Sequence, residues 1–476
     1  MYARRVDSTV LRASSQQVAL PPSRDTSATW TVTVGVLFAL GLWSAFVSAA
    51  FWPGQVDPDT TSAVQDVSAG HYLDWHAPVL EVLWRGLYLV GVHGTGPVLF
   101  ASVFTLIIGF YLVLRVRFGI LGSLFGAALC SVFPPILTWE AHVGTDAWFA
   151  ALLLAGFGCA ARAARVTGRS RNVSLVAAVL LAFLGLAARH NAFPAVAILL
   201  VVVVGLWLPS TRRRRRTWSV GLGLALTVVM MIAQIATLRV VDTQSMHAAQ
   251  NTMIYDLTTL SQREGKVLLP KVADPGQNLA VIVNGTSVEG DEQLIYAPHA
   301  PIRWPLEGGD YKTLTRSWES AVLRDPMGYL QDRLRSGALL LGITHPEFWL
   351  FEEPRMTSPP KFPSLNRPAI SYLSAATLHD NNLYGSVIYD AWIYALVLLA
   401  ASIVLWRRTV ADRVLALLAV AVLLYTLVTI FAVPEMLYRY VYVDVVTGVV
   451  LLPVLWPRRS VGTPAHRIGT DVPRLG

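Results

Sequence analysis

The sequence predicts an α-helical membrane protein that crosses the bilayer about ten times. Hydrophobic residues make up 54% of the 476 residues and charged residues only 14%, whereas soluble proteins carry about 25% charged residues. Apolar runs close to the ~20 residues needed to cross a bilayer recur along the chain. The arginines lie in short loops between these runs, where they set topology. We therefore expect no nucleic acid partner despite the net charge of +8.

Ten segments have the length and hydropathy of membrane spans. They cover residues 30–51, 97–114, 119–137, 147–164, 173–188, 192–208, 218–238, 386–406, 412–432 and 437–456. If the N-terminus is cytoplasmic, every arginine-rich loop also faces the cytoplasm, so both termini are predicted to be cytoplasmic. Cys130 and Cys159 fall inside spans and are interpreted as small core residues, not as a disulfide.

This topology divides the chain into five parts. They are a cytoplasmic tail (1–29), a membrane module (30–238) whose first outer loop is 52–96, an extracytoplasmic domain (239–385), the last three spans (386–456) and a second cytoplasmic tail (457–476). The domain at 239–385 holds all four lysines of the chain. Long translocated domains escape the charge bias of short loops, so an outer location is consistent with these lysines.

The domain at 239–385 is predicted to be α+β. Residues 246–265 and 311–323 have helical periodicity, and Asp325-Pro326 is a typical start for a third helix. Residues 278–283 and 293–296 are interpreted as short strands around the turn signal Asn284-Gly285. The proline-rich stretch 354–368 is expected to be extended.

The first outer loop carries the strongest chemical signal. Asp57 and Asp59 follow the first span, where partial desolvation raises the pKa of a carboxylate and strengthens it as a general base. Two alternatives remain open: Asp59 as the N-cap of a helix ending near Gly70, and a divalent cation site. His76 precedes a predicted interfacial helix at 79–88. It could orient the base, bind phosphate, or serve as a capping or aromatic-packing residue.

Three later loops bring further polar groups to the same predicted face. Arginine pairs well with phosphate oxygens, so the short-loop residues Arg189 and Arg439 are candidate phosphate ligands, and Arg85 of the first loop is a third. The alternative for each is an arginine that snorkels at a helix end. Asp146 is a candidate ligand or a residue that favours a helix N-terminus. The other candidate substrate-binding residues are Glu140, His142, Asp74, Trp75, Asn191, Glu435 and Tyr440.

The order of these motifs resembles one superfamily. The first loop reads Trp52-Pro53-Gly54, Pro58-Asp59, Gln65, Gly70-His71-Tyr72 and Asp74-Trp75-His76. It resembles the first periplasmic loop of GT-C glycosyltransferases, in particular a bacterial group with ten or more spans. The segments 139–146, 189–191, 250–260 and 435–440 resemble later elements of that group in the same order. Two departures are Asp-Pro-Asp in place of Asp-Glu, and Thr145 in place of a lysine.

The resemblance implies a glycosyltransferase of the plasma membrane whose active site faces outward. Its donor is a sugar on a polyprenyl phosphate, and its acceptor is a cell-envelope polysaccharide, lipid or protein. Asp59, or else Asp57, is the expected base, and Arg189, Arg439 and His76 are the expected phosphate ligands. No cofactor is expected to be required, although a divalent metal remains open. The alternatives are a transporter or lipid-linked saccharide flippase and a membrane acyltransferase that uses His190-Asn191.

Overall fold

The computed structural model describes residues 26–75, 78–209, 214–241, 243–287, 290–344, 355–356, 359–377 and 387–456, which are almost entirely helical. The predicted tail at 457–476 and most of the one at 1–29 lie outside these residues. The helices before the long polar segment are α1 (Thr26–Phe51), α2 (Pro58–Ala69), α3 (Pro78–Leu89), α4 (Gly96–Leu114), α5 (Ile120–Ser131), α6 (Pro134–Glu140), α7 (Thr145–Ala163), α8 (Gly168–Ala188), α9 (Phe193–Trp207) and α10 (Arg215–Val240).

The remaining helices belong to the insert, defined as residues 241–390, and to the C-terminal part. In the insert they are α11 (Ala249–Glu264), α12 (Leu279–Gly285), α13 (Glu292–Ile295), α14 (Gly308–Arg324), α15 (Pro326–Leu340) and α16 (Pro363–Thr377); after it come α17 (Ala391–Trp406), α18 (Val410–Ala432) and α19 (Tyr442–Leu455). Short 3-10 helices cover His190–Ala192, Val387–Tyr389 and Tyr438–Val441.

The chain is a polytopic helical membrane protein. Within the described residues, eight helices are long and apolar enough to cross a membrane: α1, α4, α7, α8, α9, α10, α18 and α19, with α9 and α19 counted together with the 3-10 turn before each. The predicted span at 119–137 is not one straight helix, because α5 and α6 meet at a bend of 70°. Proline at the start of α6 has no N–H to continue the ladder of α5, which accounts for the break. α17 is apolar but has only 16 residues.

The bundle is packed around α7. In α7, 83% of the apolar stretch is buried inside the protein, whereas in α10 only 17% is buried. Glycines allow close approach: a Cβ on Gly156 would lie 2.8 Å from the Leu199 side chain, and one on Gly158 would lie 2.7 Å from Leu112. Small residues at helix contacts are a common packing device in membranes. α10 exposes most of its apolar surface at the edge of the bundle.

The two ends of the bundle differ in their polar residues. At one end, arginines cap carbonyl groups at the C-termini of neighbouring helices: Arg215 Nε donates to Gly205 O at 2.9 Å, and Arg408 Nη1 donates to Val454 O at 3.0 Å. The other end, called the site end, is where α1 and α18 finish and α4, α7 and α19 begin. The insert and the loop carrying Asp57 contact the bundle at the site end.

The insert contains its own hydrophobic cluster, to which α11, α12, α13, α14 and the loops between them contribute, with Leu257 and Leu314 among its members. The predicted helices are confirmed, and the Asp325 side chain caps α15 by accepting from Gly328 N at 2.9 Å. The predicted strands are wrong: residues 279–285 and 292–295 are helical. The Asn278 side chain accepts from the backbone N–H of Ala280 at 3.1 Å, and this cap favours a helix where the Val and Ile content suggested a strand.

The proline-rich stretch is also not uniformly extended. Residues 363–377 form α16 with Pro368 inside it, and α16 packs against α1 and α6. Just before it, the two-residue strand β2 (Arg355–Met356) pairs antiparallel with β1 (Gln55–Val56). This is the only strand pair among the described residues, and the described part of the insert is otherwise helical or irregular.

Candidate functional site

The first loop is anchored by β1. Gln55 N donates to Ala141 O at 2.9 Å, and Val143 N donates to Gln55 O at 3.0 Å. On its other edge β1 pairs with β2, with Gln55 opposite Met356. Gly54 has φ +110°, and a Cβ there would lie 2.6 Å from the Val143 side chain, so this turn requires glycine. These contacts fix the position of the acids that come next in the chain.

Asp57 is the N-cap of α2, and Asp59 lies in its first turn. Asp57 Oδ1 accepts from Thr60 N at 2.6 Å, and Pro58 occupies the first helical position. Thr60 Oγ1 donates to Val143 O at 2.7 Å, and this bond connects α2 to the loop between α6 and α7. The predicted helix is therefore confirmed, but its N-cap is Asp57 and not Asp59. Asp59 stays available for other contacts.

Arg439 joins these acids from the other end of the chain. It lies in the 3-10 helix Tyr438–Val441, and its Nη1 is 2.7 Å from Asp59 Oδ2 and 3.3 Å from Asp57 Oδ2. The two carboxylates are thus brought together by one guanidinium.

A second pair lies next to the first. Arg189 Nη2 is 2.6 Å from Asp146 Oδ1. Both arginines lie near the ring of Tyr440, with the Cζ of Arg189 4.9 Å and that of Arg439 5.1 Å from its centroid. The site cluster, defined as Asp57, Asp59, Asp146, Arg189, Arg439 and Tyr440, therefore unites four segments of the chain and places two cations near one aromatic ring.

Exposure separates Asp59 from the other acids of the site cluster. The Asp57 and Asp146 side chains are 6% and 5% exposed, whereas the Asp59 side chain is 41% exposed. The arginines are intermediate, at 19% for Arg189 and 15% for Arg439. Of these three carboxylates, Asp59 is therefore the one that a substrate can reach most readily.

Two more predicted residues lie at the edge of the site cluster. Trp75 Nε1 donates to Asp59 Oδ1 at 3.5 Å. His142 is buried, stacks on Trp139 with ring centroids 4.4 Å apart, and its Nδ1 donates to Thr138 O at 3.1 Å. Burial lowers the pKa of His142, and the Asp57 carboxylate partly opposes this shift. His142 is thus a neutral neighbour of the acids.

Other predicted residues make contacts away from Asp59. Glu140 is turned into the bundle, where Ser102 Oγ and Tyr442 OH each donate to it at 3.0 Å. Asp74 accepts from Ser245 Oγ at 2.6 Å and thereby holds the start of the insert. Asn191 Nδ2 donates to Thr429 Oγ1 at 2.9 Å. The structure does not bring these three side chains into the site cluster, and His76 lies outside the described residues.

Glu435 lies in the loop between α18 and the 3-10 helix of Arg439. It is half-buried, and a Cβ on Gly290 would lie 3.0 Å from its Cγ. Burial and the nearby Glu292 carboxylate raise the pKa of Glu435 to about 8, although Arg439 opposes the shift. Glu435 is therefore a protonated acid at neutral pH, next to the site cluster.

Among the described residues, no group of three or more His, Cys, Asp or Glu side chains has an arrangement that would hold a metal ion. Arg85, the third short-loop arginine, caps α2 by donating to Val67 O at 2.8 Å and Ser68 O at 2.7 Å. It serves the helix rather than the site cluster.

Sequence reasoning missed several residues near Asp59. Trp304 contacts the Trp75 ring edge-on with centroids 5.4 Å apart, and Tyr296 contacts Trp304 at 5.2 Å. Asn251 donates to the Tyr296 hydroxyl. All three lie in the insert, more than one hundred residues after Trp75. The only signal in the sequence was an aromatic content in 296–304 that is high for a polar segment.

The chain matches no protein-family model, no curated protein and no solved structure. The resemblance to GT-C glycosyltransferases stays a prediction from the motifs, and the geometry of the site cluster is the separate observation that bears on its chemistry.

Proposed function

We propose that the chain is a membrane glycosyltransferase that transfers a sugar from a polyprenyl phosphate to an acceptor hydroxyl at the site end of the bundle. The observation that carries the proposal is the partly exposed Asp59 carboxylate, 2.7 Å from Arg439 Nη1, beside a second Asp–Arg pair. Such a set offers a base and two phosphate ligands within one polar cluster.

The arginines fit a leaving phosphate. Guanidinium groups bind phosphate oxygens with paired hydrogen bonds and keep their charge at any physiological pH. A donor phosphate between Arg189 and Arg439 would compete with Asp59 for the Arg439 donors. Release from Arg439 raises the proton affinity of Asp59 and makes it a better proton acceptor.

The transfer step then balances as a single displacement. The acceptor oxygen forms a bond to the anomeric carbon, and the bond from that carbon to the phosphate oxygen breaks. The hydroxyl proton goes to Asp59, and the electron pair leaves with the polyprenyl phosphate. Arg189 and Arg439 offset the negative charge that grows on the leaving group, an effect worth about 3–4 kcal/mol per donor in sites of this kind.

The test is transfer by the purified protein in lipid vesicles, with a panel of polyprenyl-phosphate donors that carry different radiolabelled hexoses and pentoses. Asp59→Asn should lower transfer about 100- to 10,000-fold, as expected for loss of a general base. Asp310→Asn, at an exposed acid of α14, is the matched control and should keep full activity. The proposal is wrong if the wild type consumes no donor or if Asp59→Asn is as active as Asp310→Asn.

One observation favours a second candidate, a transporter. The 70° break between α5 and α6 resembles the discontinuous helices that transporters use to bind solutes. Straightening the break with Pro134→Ala and Pro135→Ala should then change the rate at which vesicles take up a lipid-linked saccharide. A glycosyltransferase without transport activity would show no uptake in either form.

A further inference from the structure

An aromatic patch borders the site cluster on the side of the insert. It consists of Trp75, Tyr296 and Trp304. Trp304 is central: the Trp75 and Tyr296 rings meet it at interplanar angles of 80° and 77°. Tyr296 is 45% exposed, and Trp75 and Trp304 are half-buried. Aromatic surface is therefore accessible beside Asp59.

The patch has polar groups at its edge that lack partners. Asn251 is 1% exposed, and its Nδ2 donates to the Tyr296 hydroxyl. Among the described residues, neither Asn251 Oδ1 nor Trp304 Nε1 has a hydrogen-bond partner. A buried polar atom left without a partner is destabilising, and such atoms are uncommon in native structures. One acceptor and one donor at the edge of an aromatic patch indicate a ligand with hydroxyl groups.

The third feature is the position of the patch relative to the proposed base. Trp75 Nε1 donates to Asp59 Oδ1 at 3.5 Å, so the patch begins at the carboxylate. A ligand that covers the patch would have one end at Asp59.

We propose that Trp75, Tyr296, Trp304 and Asn251 form the acceptor subsite of the proposed transferase, and that the acceptor is a carbohydrate. This inference rests on the proposed function. Sugar rings present C–H groups that pack against the negative face of an aromatic ring. Their hydroxyl groups donate and accept in the ring plane, as Asn251 Oδ1 and Trp304 Nε1 require.

A carbohydrate explains the combination better than a lipid tail does. An acyl chain would pack on the rings but would leave the amide oxygen and the indole N–H unpaired. Ligand sites typically combine apolar surface with a few polar groups that fix orientation, and the patch has this composition. The competing explanation, a membrane-interface anchor formed by Trp and Tyr, leaves the two buried polar atoms unexplained.

Saturation-transfer NMR on the full-length protein in detergent tests the proposal without the donor. The probes are methyl glycosides of mannose, glucose, galactose and arabinofuranose. At least one should receive magnetisation, and Tyr296→Ala and Asn251→Ala should weaken its affinity about tenfold or more. Tyr296→Phe keeps the ring and should lose less. Tyr372→Ala removes another tyrosine of similar exposure, 46%, from α16 and should bind as the wild type does.

Two results would overturn the subsite: no glycoside binds to the wild type, or Tyr296→Ala and Asn251→Ala bind as well as Tyr372→Ala. A membrane anchor predicts the second result.

The outcome is separable from the proposed function. Asp59→Asn should keep glycoside binding and lose transfer. If Tyr296→Ala transfers to a carbohydrate acceptor with unchanged KM, the subsite is wrong and the transferase stands. If glycosides bind through Tyr296 but no donor is consumed, the transferase is wrong, and the patch is a carbohydrate-binding site of another activity.

Discussion

Two arginines make similar contacts in two regions of the molecule. Arg333 in the insert has its Nη2 2.6 Å from Asp256 Oδ1 and its Cζ 5.5 Å from the centroid of the Tyr255 ring. Arg439 at the site end has its Nη1 2.7 Å from Asp59 Oδ2 and its Cζ 5.1 Å from the Tyr440 ring. The local chemistry is therefore nearly the same.

The surroundings of the two pairs differ. The Arg333 and Asp256 side chains are 1% and 3% exposed. Trp318 Nε1 donates to the second carboxylate oxygen of Asp256 at 2.8 Å, and Arg333 Nη1 donates to Val433 O at 2.7 Å, which joins the insert to the end of α18. A pair enclosed by protein in this way holds the structure together. A pair with a carboxylate that is 41% exposed, such as Asp59, can exchange one partner for a ligand.

The largest effect that distinguishes the two pairs should come from Arg333→Ala. This change leaves Asp256 buried without its cation and should lower the free energy of unfolding by about 3–5 kcal/mol. Thermal denaturation in detergent measures the loss. Arg335→Ala, on the exposed side of the same helix, is the matched control. Equal melting temperatures for the two variants would show that the buried pair is not a structural link.

Arg439→Gln should affect transfer instead. Under the proposed function, loss of the guanidinium would remove a donor to the leaving phosphate and should lower transfer about 100- to 1,000-fold. The vesicle assay with polyprenyl-phosphate donors measures it. An Arg439→Gln protein that transfers normally would mean that the arginine only holds Asp57 and Asp59 in place.

Two acids without an ion-pair partner of their own among the described residues, Asp291 and Glu435, extend the comparison to the pH dependence of stability. Burial raises the pKa of Asp291 to about 8, and burial with the Glu292 charge raises the pKa of Glu435 to about 8. The folded protein then keeps protons that the unfolded chain releases near pH 4–4.5. The contribution of each group to the free energy of unfolding is greatest below that range. It falls as pH rises to 8, by at most about 1.4 kcal/mol per pH unit.

Melting temperatures recorded from pH 5 to pH 8 test this slope. The double change Asp291→Asn and Glu435→Gln should flatten the profile. A wild-type profile that rises over this interval would contradict the assigned protonation states.

The smallest effect should be that of Asp59→Asn on stability. Its ion pair with Arg439 is partly open to solvent, and such pairs contribute about 0–1 kcal/mol. The melting temperature of Asp59→Asn should therefore stay close to that of the wild type, whereas Asp256→Asn should melt well below it. A large loss of stability in Asp59→Asn would show that this residue has a structural role like that of Asp256.

Most of the fold can be predicted from local sequence signals. Hydropathy located the apolar helices, and Asp325-Pro326 located the start of α15. The sequence also contains a signal for the break between α5 and α6, because Pro134 and Pro135 lie inside the predicted span. Hydropathy alone does not show this break, since the apolar residues continue across it. The helix at 279–285 was not predicted, because its β-branched residues favour a strand and only the cap at Asn278 indicates a helix.

The candidate site was predictable only in part. Alternation of the spans places Asp57, Asp59, Arg189 and Arg439 at one end of the bundle, and the structure brings all four together. The pairing of β1 with β2 spans some 300 residues, and each strand is only two residues long, so no periodicity marks it. The approach of Trp304 to Trp75 likewise depends on how the insert folds back, which no local pattern records.

The contact between Asp57 and Arg439 joins residues that are 382 positions apart. Synthesis proceeds from the N-terminus, so the first loop leaves the ribosome long before its cationic partner does. A chain that stops before the last helix would carry most of its membrane spans, but its two loop aspartates would lack the Arg439 guanidinium. Completion of the site cluster is thus tied to the arrival of the final segment, so the proposed transferase would be inactive in a partly made chain.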